Sequence, residues 1–247
     1  ASLQTGMDFA LRRGADIVVH FDADGQSPEQ QISELVAPIK AGKTLVSLGS
    51  RFLNNAADGL DFDVTDSIVD NNVFINNGND GIDLSSKSPT IKNNRVEKSG
   101  DKCISIGESS SPLIFNNILT GCNIGIALKD SSGAIIINNL ISKNKEGISL
   151  YEKKPIFGGG RAKVFNTIIW DNDKQLVMDE KSSIEIQYSD IEGGHEGRGN
   201  LNIEPIFDDH YLLTDGNNRQ LKEGGDVQII NKYFENNVNN IDTINIG

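Results

Sequence analysis

Short apolar strands recur along the middle of the chain at a fixed interval. Each pairs a leading residue, usually glycine, with an apolar-x-apolar pattern, and they begin at Gly59, Gly81, Cys103, Gly125, Gly147 and Gln175. The first four steps are 22 residues and the last is 28. A second repeated feature, an Asn shortly before an apolar pair, recurs at nearly the same spacing. It occurs at Asn71, Asn93, Asn116, Asn138 and Asn166. These two features with one period, called the first and second tracks below, predict a solenoid in which each repeat forms one coil.

A period near 22 with two or three short strands per turn predicts a right-handed, single-stranded parallel β-helix. Its strands should stack from coil to coil at about 4.8 Å. Alternation predicts which residues of the first track enter the core: Leu60, Phe62, Ile82, Leu84, Ile104, Ile106, Ile126, Leu128, Ile148 and Leu150. The residues between them should point outward: Asp61, Asp83, Ser105, Ala127 and Ser149. We therefore predict a mainly β fold, with about six coils over residues 53–194.

The Asn residues of the second track are predicted to occupy turns between strands. Asn tolerates left-handed backbone, and its side-chain amide can hydrogen-bond the equivalent amide one coil away. This role is structural. The six extra residues of the fifth coil fall in KKPIFGGGR. We expect that segment to be a loop that projects from the stack, with Gly158 to Gly160 as its flexible part.

Residues 1–52 have a different pattern, that of a small α/β unit. ASLQTGMDFALRRGA is amphipathic at helical spacing, with Gly14 placed as a helix C′ residue. The apolar run DIVVHF predicts a buried parallel strand. A second helix should begin at an N-cap, Ser27, and TLVSLGSRF should form the next strand. Helix, strand, helix, strand is typical of a parallel sheet.

The strand that leads into Asp22, Asp24 and Gly25, together with the later sequence GSRF, resembles the polyprenyl-phosphate branch of family-two glycosyltransferases. The resemblance implies a partial GT-A-like segment in which Asp22 and Asp24 help bind Mg²⁺ or Mn²⁺ on a nucleotide sugar. Such cations favour carboxylate and phosphate oxygens. The match covers about a fifth of the chain and lacks the first strands and the acceptor side. It therefore predicts an incomplete remnant, with working nucleotide-sugar transfer as the alternative.

The repeat region resembles the pectate-lyase-like superfamily, which includes polygalacturonases and polysaccharide lyases. GNDGID supplies Asp80 and GDKCISI supplies Asp101, which matches the polygalacturonase acids, and the stack should place the two one coil apart. The sequence then departs from the polygalacturonase pattern. Lys102 stands where those enzymes have a second aspartate, and Ile124 stands where they have a histidine. Inverting hydrolysis needs a protonated acid opposite a base, and Lys102 should keep Asp101 ionised.

Asp61 and Asp83 form a second candidate site, since they should stack about 5 Å apart on the outer face. Adjacent carboxylates repel each other, which raises one pKa or recruits a cation such as Ca²⁺. The other acids close by in sequence are Asp58, Asp63 and Asp80. A lyase would also need a base, for which Lys87, Lys92 and Lys102 are candidates. A solvated acidic face is the simpler interpretation.

Charge and composition restrict the partners of this chain. The formal net charge of −12 repels phosphate backbones and argues against nucleic acid. No apolar run approaches the roughly 20 residues of a membrane span. Two cysteines are too few for a disulfide framework and do not match a zinc site. The β-helix suggests a secreted or cell-surface origin and the N-terminal segment a cytoplasmic one.

The remaining segment, residues 195–247, loses the period. GRGNLNIEPIFDDHYLL resembles the segment that closes many bacterial secreted β-helix proteins, through Asn202, Pro205 and Phe207. Capping is needed because an open β-helix end invites edge pairing.

Two functions remain open: a non-catalytic carbohydrate-associated module that binds or displays polysaccharide or glycoconjugate, and a metal-dependent carbohydrate-active enzyme. The outward positions of the repeat hold few Tyr or Trp residues, which weakens the case for a polysaccharide-binding module.

Overall fold

A computed structural model describes residues 9–10, 12–17, 33, 36–37, 40–41, 58–62, 68–208, 211–214, 221, 224–226 and 228. The chain divides into two compact units, Ala1–Arg51 and Phe52–Gly247. In the first unit, Phe9, Ala10 and Arg12 have helical backbone. Gly14 ends this turn with a φ of 82°, and the Ala15 amide bonds the Ala10 carbonyl at 3.1 Å, as in a glycine C-cap.

Of the predicted second helix, Ser33, Val36, Ala37 and Lys40 have helical backbone, and the Ala41 amide donates to the Ala37 carbonyl at 3.0 Å. Most of the other residues in the elements predicted for residues 1–52 lie outside the described residues. These include the strand that leads to Asp22 and Asp24, both aspartates themselves, and the N-cap Ser27. The α/β arrangement of this segment therefore stays a prediction.

In its described residues, the second unit is a parallel solenoid of eighteen strands, β1 to β18 in chain order, with three strands in each of six coils. Sheet A contains β1 (Leu60–Phe62), β4 (Ile82–Ser85), β7 (Lys102–Gly107), β10 (Ile124–Lys129), β13 (Glu146–Tyr151) and β16 (Lys174–Met178). Sheet B contains β2 (Ile68–Asp70), β5 (Thr90–Lys92), β8 (Leu113–Phe115), β11 (Gly133–Ile137), β14 (Arg161–Phe165) and β17 (Ser183–Gln187). Sheet C contains β3 (Val73–Ile75), β6 (Arg95–Glu97), β9 (Ile118–Thr120), β12 (Leu140–Ser142), β15 (Ile168–Trp170) and β18 (Asp190–Ile191). The predicted β-helix of about six coils is confirmed.

The register of sheet A follows the 22-residue period. Among the outward residues, Asp61 pairs with Asp83 and Asp83 pairs with Ser105. Among the inward residues, Ile126 pairs with Ile148. The inward residues predicted from Ile82 to Leu150 are buried in one continuous core. Each fully buried Ile or Leu side chain contributes about 1.5–3 kcal/mol relative to exposure. Side chains alternate between the two faces of a strand. The burial of the two apolar residues in each apolar-x-apolar pattern therefore places the residue between them on the outer face of sheet A.

The predicted turn residues adopt left-handed backbone. Positive φ angles of 47–60° occur at Asn71, Asn93, Asn116, Asn138 and Asn166. The exposed amide of Asn116 donates to the side-chain oxygen of Asn93 at 2.7 Å, which is the contact between coils that the sequence predicts. A second, buried ladder was not predicted. It uses the residue after each left-handed turn residue, which is an Asn in the first five coils and Tyr188 in the sixth. It runs through Asn72, Asn94, Asn117, Asn139, Thr167 and Ser189.

The extra residues of the fifth coil form the predicted loop. It occupies residues 152–160 between β13 and β14, and Ile156 at its tip is 95% exposed. Its base is fixed by Asp130, whose carboxylate accepts the backbone amides of Lys153 and Lys154, both at 2.8 Å.

A disulfide joins Cys103 and Cys122, with the two Cα atoms 5.7 Å apart. Cys103 lies in β7, and Cys122 lies in the turn that follows β9, so the bond closes one complete coil on itself. The sequence did not predict this pair, because the separation of 19 residues matches neither repeat track. Two cysteines still make no framework, but they make one cross-link.

The residues after β18 extend the stack and then turn back. Leu201 forms a parallel bridge with Asp190, and the Asn200 side chain accepts the Ser189 amide at 3.1 Å. Beyond it, the C-terminal strap (the described residues of 203–226) packs on the outer face of sheet C. Its Leu213 and Leu221 are buried with Leu140 and Ile168. The strap therefore covers part of sheet C, and the segment around Leu201 covers the last coil.

Asp190 is fully buried at this end, and we expect it to make stability depend on pH. Burial raises its pKa to about 6, and the bond from the Ile203 amide offsets this only in part. Its second oxygen has no partner among the described residues. Since the unfolded pKa is about 3.9, the native state holds the proton more tightly, and stability falls as pH rises from about 4 to 6.

The Asp190→Asn variant should remove that decline, because it keeps an acceptor for the Ile203 amide without a charge. It should be more stable than the wild type at pH 8 by an amount on the order of 2 kcal/mol, with no such gain at pH 4. Urea unfolding at both pH values measures this. An equal difference at both would contradict a buried carboxylate that ionises.

Candidate functional site

The outer face of sheet A has a floor of small side chains with long polar ones around it. Ser105, Ala127 and Ser149 form this floor on three successive coils, and all three are buried. The surrounding side chains are Asp80, Asp83, Asp101, Lys102, Lys129 and Tyr151. These residues and the floor are called the sheet A face below.

Lys129 lies across this floor. Its Nζ donates to Ser105 Oγ at 2.8 Å, and the residue is only 6% exposed. A Cβ at Gly107 would lie 3.4 Å from Lys129 Cε, so the missing side chain there leaves room for the lysine. Within the described part of the chain, Ser105 is the only hydrogen-bond partner of this ammonium, and no carboxylate lies within ion-pair distance.

The electrostatics of Lys129 follow from that burial. Burial lowers its pKa, Asp83 partly offsets the effect, and the charges of Lys153 and Lys102 add to it. A buried cation with a single neutral partner is unfavourable by itself, since its remaining donors lose their water. The site therefore favours a ligand that brings an acceptor or a negative charge.

The predicted acid pair, Asp80 and Asp101, lies on adjacent coils and is joined by Lys102. Asp80 Oδ1 accepts the Lys102 amide at 2.9 Å and its Nζ at 3.4 Å, and the same Nζ pairs with Asp101. Burial raises the pKa of Asp80, and Lys102 offsets this in part. Burial acts to lower the pKa of Lys102, but Asp101 and Asp80 outweigh it and the net shift is upward. Both carboxylates thus serve first to hold one lysine.

The predicted acidic site holds fewer free carboxylates than its sequence suggests. Asp61 and Asp83 are paired in register, as expected. Asp58 instead accepts the Asp80 amide and the Asn79 side chain, both at 2.8 Å, and stabilises the turn. Asp63 lies outside the described residues. In the described ranges, no three His, Cys, Asp or Glu residues gather as they would around a metal. A calcium ion at Asp61 and Asp83 stays a prediction.

The three candidate bases, Lys87, Lys92 and Lys102, do not lie together on one face of the solenoid. Lys92 lies on β5 of sheet B and pairs with Asp70 at 3.3 Å, so it faces away from the sheet A face. Lys87 lies in the turn after β4, and Lys102 alone reaches the sheet A face.

Two residues of the site were missed, Lys129 and Tyr151, which are paired in register at the ends of β10 and β13. Burial raises the pKa of Tyr151. A sequence signal existed: each follows the apolar-x-apolar pattern directly, in GIALK and GISLY.

The family described as a right-handed beta helix region matches residues 43–191. The chain belongs to this family. No curated protein and no solved structure matches it significantly. Asp22 and Asp24 lie outside both the match and the described residues. Among the residues that the structure describes, none forms a helix long and apolar enough to cross a membrane.

Proposed function

We propose that this β-helix is a non-catalytic polysaccharide-binding module whose binding surface is the sheet A face. The observation that carries the proposal is the buried Lys129 ammonium, which has one neutral partner. A carboxylate or other acidic group on a sugar would supply the missing counter-charge. Asp83 and the Tyr151 hydroxyl, which have no hydrogen-bond partner among the described residues, can take sugar hydroxyls beside it.

The geometry of the face suits an extended polymer. Coils repeat at about 4.8 Å, so a chain that runs along the solenoid axis meets similar groups on successive coils. Ser105, Ala127 and Ser149 are buried beneath the longer side chains of this face, so such a chain would contact those longer side chains and not the floor. The single disulfide supports an oxidising compartment, where polysaccharide is accessible. Residues 1–52 are proposed to be a glycosyltransferase remnant, with Asp22 and Asp24 as former Mg²⁺ or Mn²⁺ ligands.

The test is the Lys129→Met variant, which keeps the length of the side chain and removes the charge. Retention on acidic polysaccharides, measured by affinity electrophoresis, should fall about tenfold or more, because a charge-assisted hydrogen bond is lost. The same variant should unfold at equal or higher urea, since an unpaired buried charge is removed. Weaker binding with retained stability separates recognition from misfolding.

The exposed Lys163 on β14 of sheet B offers a matched control. Lys163→Met removes the same charge from a different sheet of the solenoid and should bind like the wild type. Equal binding by all three proteins would refute the sheet A face as the binding surface.

A second candidate function, a metal-assisted lyase or hydrolase, is favoured by the opposed pKa shifts of this face. Burial lowers the pKa of Lys129, which favours this side chain as a proton acceptor. Burial raises the pKa of Asp80, which favours that side chain as a proton donor. New chain ends that appear with Ca²⁺, vanish with chelator and are lost in Asp83→Asn would establish this function in place of binding alone. Binding without new ends leaves the module non-catalytic.

A further inference from the structure

A cavity of about 640 Å³ lies between sheet C and the C-terminal strap. Its volume falls in the range of small-ligand sites, roughly 300–1,000 Å³. Its walls come from two separate parts of the chain: Ser142, Lys143, Trp170, Asp171 and Glu192 from the β-helix, and Glu204, Pro205, Phe207, Asp208 and Tyr211 from the strap. It is independent of the sheet A face, because it lies on a different sheet.

Aromatic side chains form the apolar part of the wall. Trp170 is the only tryptophan of the chain. Like Phe207 and Tyr211, it packs against the buried cluster of Leu140, Ile168, Leu213 and Leu221. Two cations lie over the Tyr211 ring, Arg95 at 5.3 Å and Lys143 at 5.6 Å from its centroid. The strap is thus anchored to the sheet, and the cavity walls are positioned before any ligand arrives.

The polar part of the wall has free hydrogen-bonding capacity. The Ser142 hydroxyl has no partner among the described residues, although the residue is only 4% exposed and lines the cavity. The carboxylates of Asp171 and Glu204 likewise have no partner in the described part of the chain. Glu192 is already occupied, since it accepts the Asp171 amide at 2.9 Å and Gln175 Nε2 at 2.7 Å. Because the Ser142 hydroxyl and the carboxylates of Asp171 and Glu204 keep unused hydrogen-bonding capacity, this wall suits a polar ligand.

We propose that this cavity binds a neutral sugar residue. An apolar sugar face can pack on Trp170, while its hydroxyls, each both donor and acceptor, bridge the acceptors Asp171 and Glu204 to the donors Lys143 and Ser142. Four carboxylates repel an acidic sugar. A simple cation would leave Lys143 and Ser142 without acceptors, and Lys143 would repel it.

The sole tryptophan makes the test direct, because all tryptophan fluorescence comes from the cavity wall. The full chain would be titrated with glucose, galactose, mannose and their β-linked disaccharides, and with glucuronate and glucosamine, at low and high salt. The expected result is a saturable change with at least one neutral sugar that salt does not alter, and no saturation with glucuronate. Salt-sensitive binding that favours glucosamine would overturn the proposal in favour of a cation site, and no saturation with any probe would also overturn it.

Two variants keep the reporter and test the polar wall. Asp171→Asn and Glu204→Gln should each weaken the neutral sugar about tenfold, as expected for a lost hydrogen bond to a charged group. Glu185→Gln, an exposed change on β17 of sheet B, should leave the affinity unchanged. Unaltered affinity in both cavity variants would refute the assignment, and far-ultraviolet circular dichroism verifies that each variant is folded.

Discussion

Replacing Asn117 with Ala is expected to lower the free energy of unfolding by about 3 kcal/mol. Its side-chain oxygen accepts the backbone and side-chain amides of Asn94 at 2.9 and 3.0 Å. Its amide nitrogen donates to the Ile91 carbonyl at 3.0 Å and to Asn139 at 2.9 Å. Alanine would leave these groups unpaired in the interior, where each unsatisfied group costs about 1–3 kcal/mol before the structure relaxes.

The neighbouring residue provides the control. Asn116 is exposed, with a φ of 54°, and donates to Asn93 at the surface. Asn116→Gly accepts that backbone angle without strain and should cost less than about 1 kcal/mol. Urea unfolding followed by circular dichroism measures both variants. Similar losses for the two would show that the buried ladder contributes no more than the exposed one.

Removing the disulfide in a Cys103→Ala and Cys122→Ala double variant is expected to destabilise the β-helix by about 3 kcal/mol. The bond closes a loop of one coil, with a sequence separation of 19. In the chain-entropy description, the cross-link restricts the unfolded chain, and its loss makes unfolding more favourable. For a chain of this size, the thermal midpoint should fall by roughly 6–12 °C.

A reductant separates the cross-link from the packing of the two side chains. It should lower the midpoint of the wild type and leave that of the double variant unchanged, because the variant has no bond to reduce. Both cysteines are buried in the core cluster, so reduction should be carried out under partly denaturing conditions. A wild type whose midpoint does not respond to complete reduction would contradict the assigned stabilisation.

The period of 22 was sufficient to predict the coils, the inward residues and the left-handed turns, because each depends on local pattern and nearest-neighbour stacking. The pairing of Asp61 with Asp83, and of the coils that carry Asp80 and Asp101, follows from that period. The buried ladder through Asn94 and Asn117 was not predicted. Two adjacent Asn residues look alike in sequence, and only the direction of each side chain separates the exposed one from the buried one.

The candidate sites divide in the same way. Lys102 was recognised beside Asp101, but its second contact, to Asp80, depends on the path of its side chain across a coil. Lys129 was missed because its reach to Ser105 crosses coils diagonally, over the space left by Gly107. The aromatic cavity was missed because Trp170 and Tyr211 belong to different segments without a common period.

The sequence by itself determined that this protein is a parallel β-helix of about six coils, with its apolar residues inside and a strongly acidic overall charge. Those properties follow from a repeated pattern that each coil satisfies with its neighbours. The tertiary structure decided which outward side chains meet, where the two cysteines join, and how the strap forms a cavity on sheet C. Such contacts depend on side-chain directions and on a non-repeating chain end, neither of which a periodic pattern specifies.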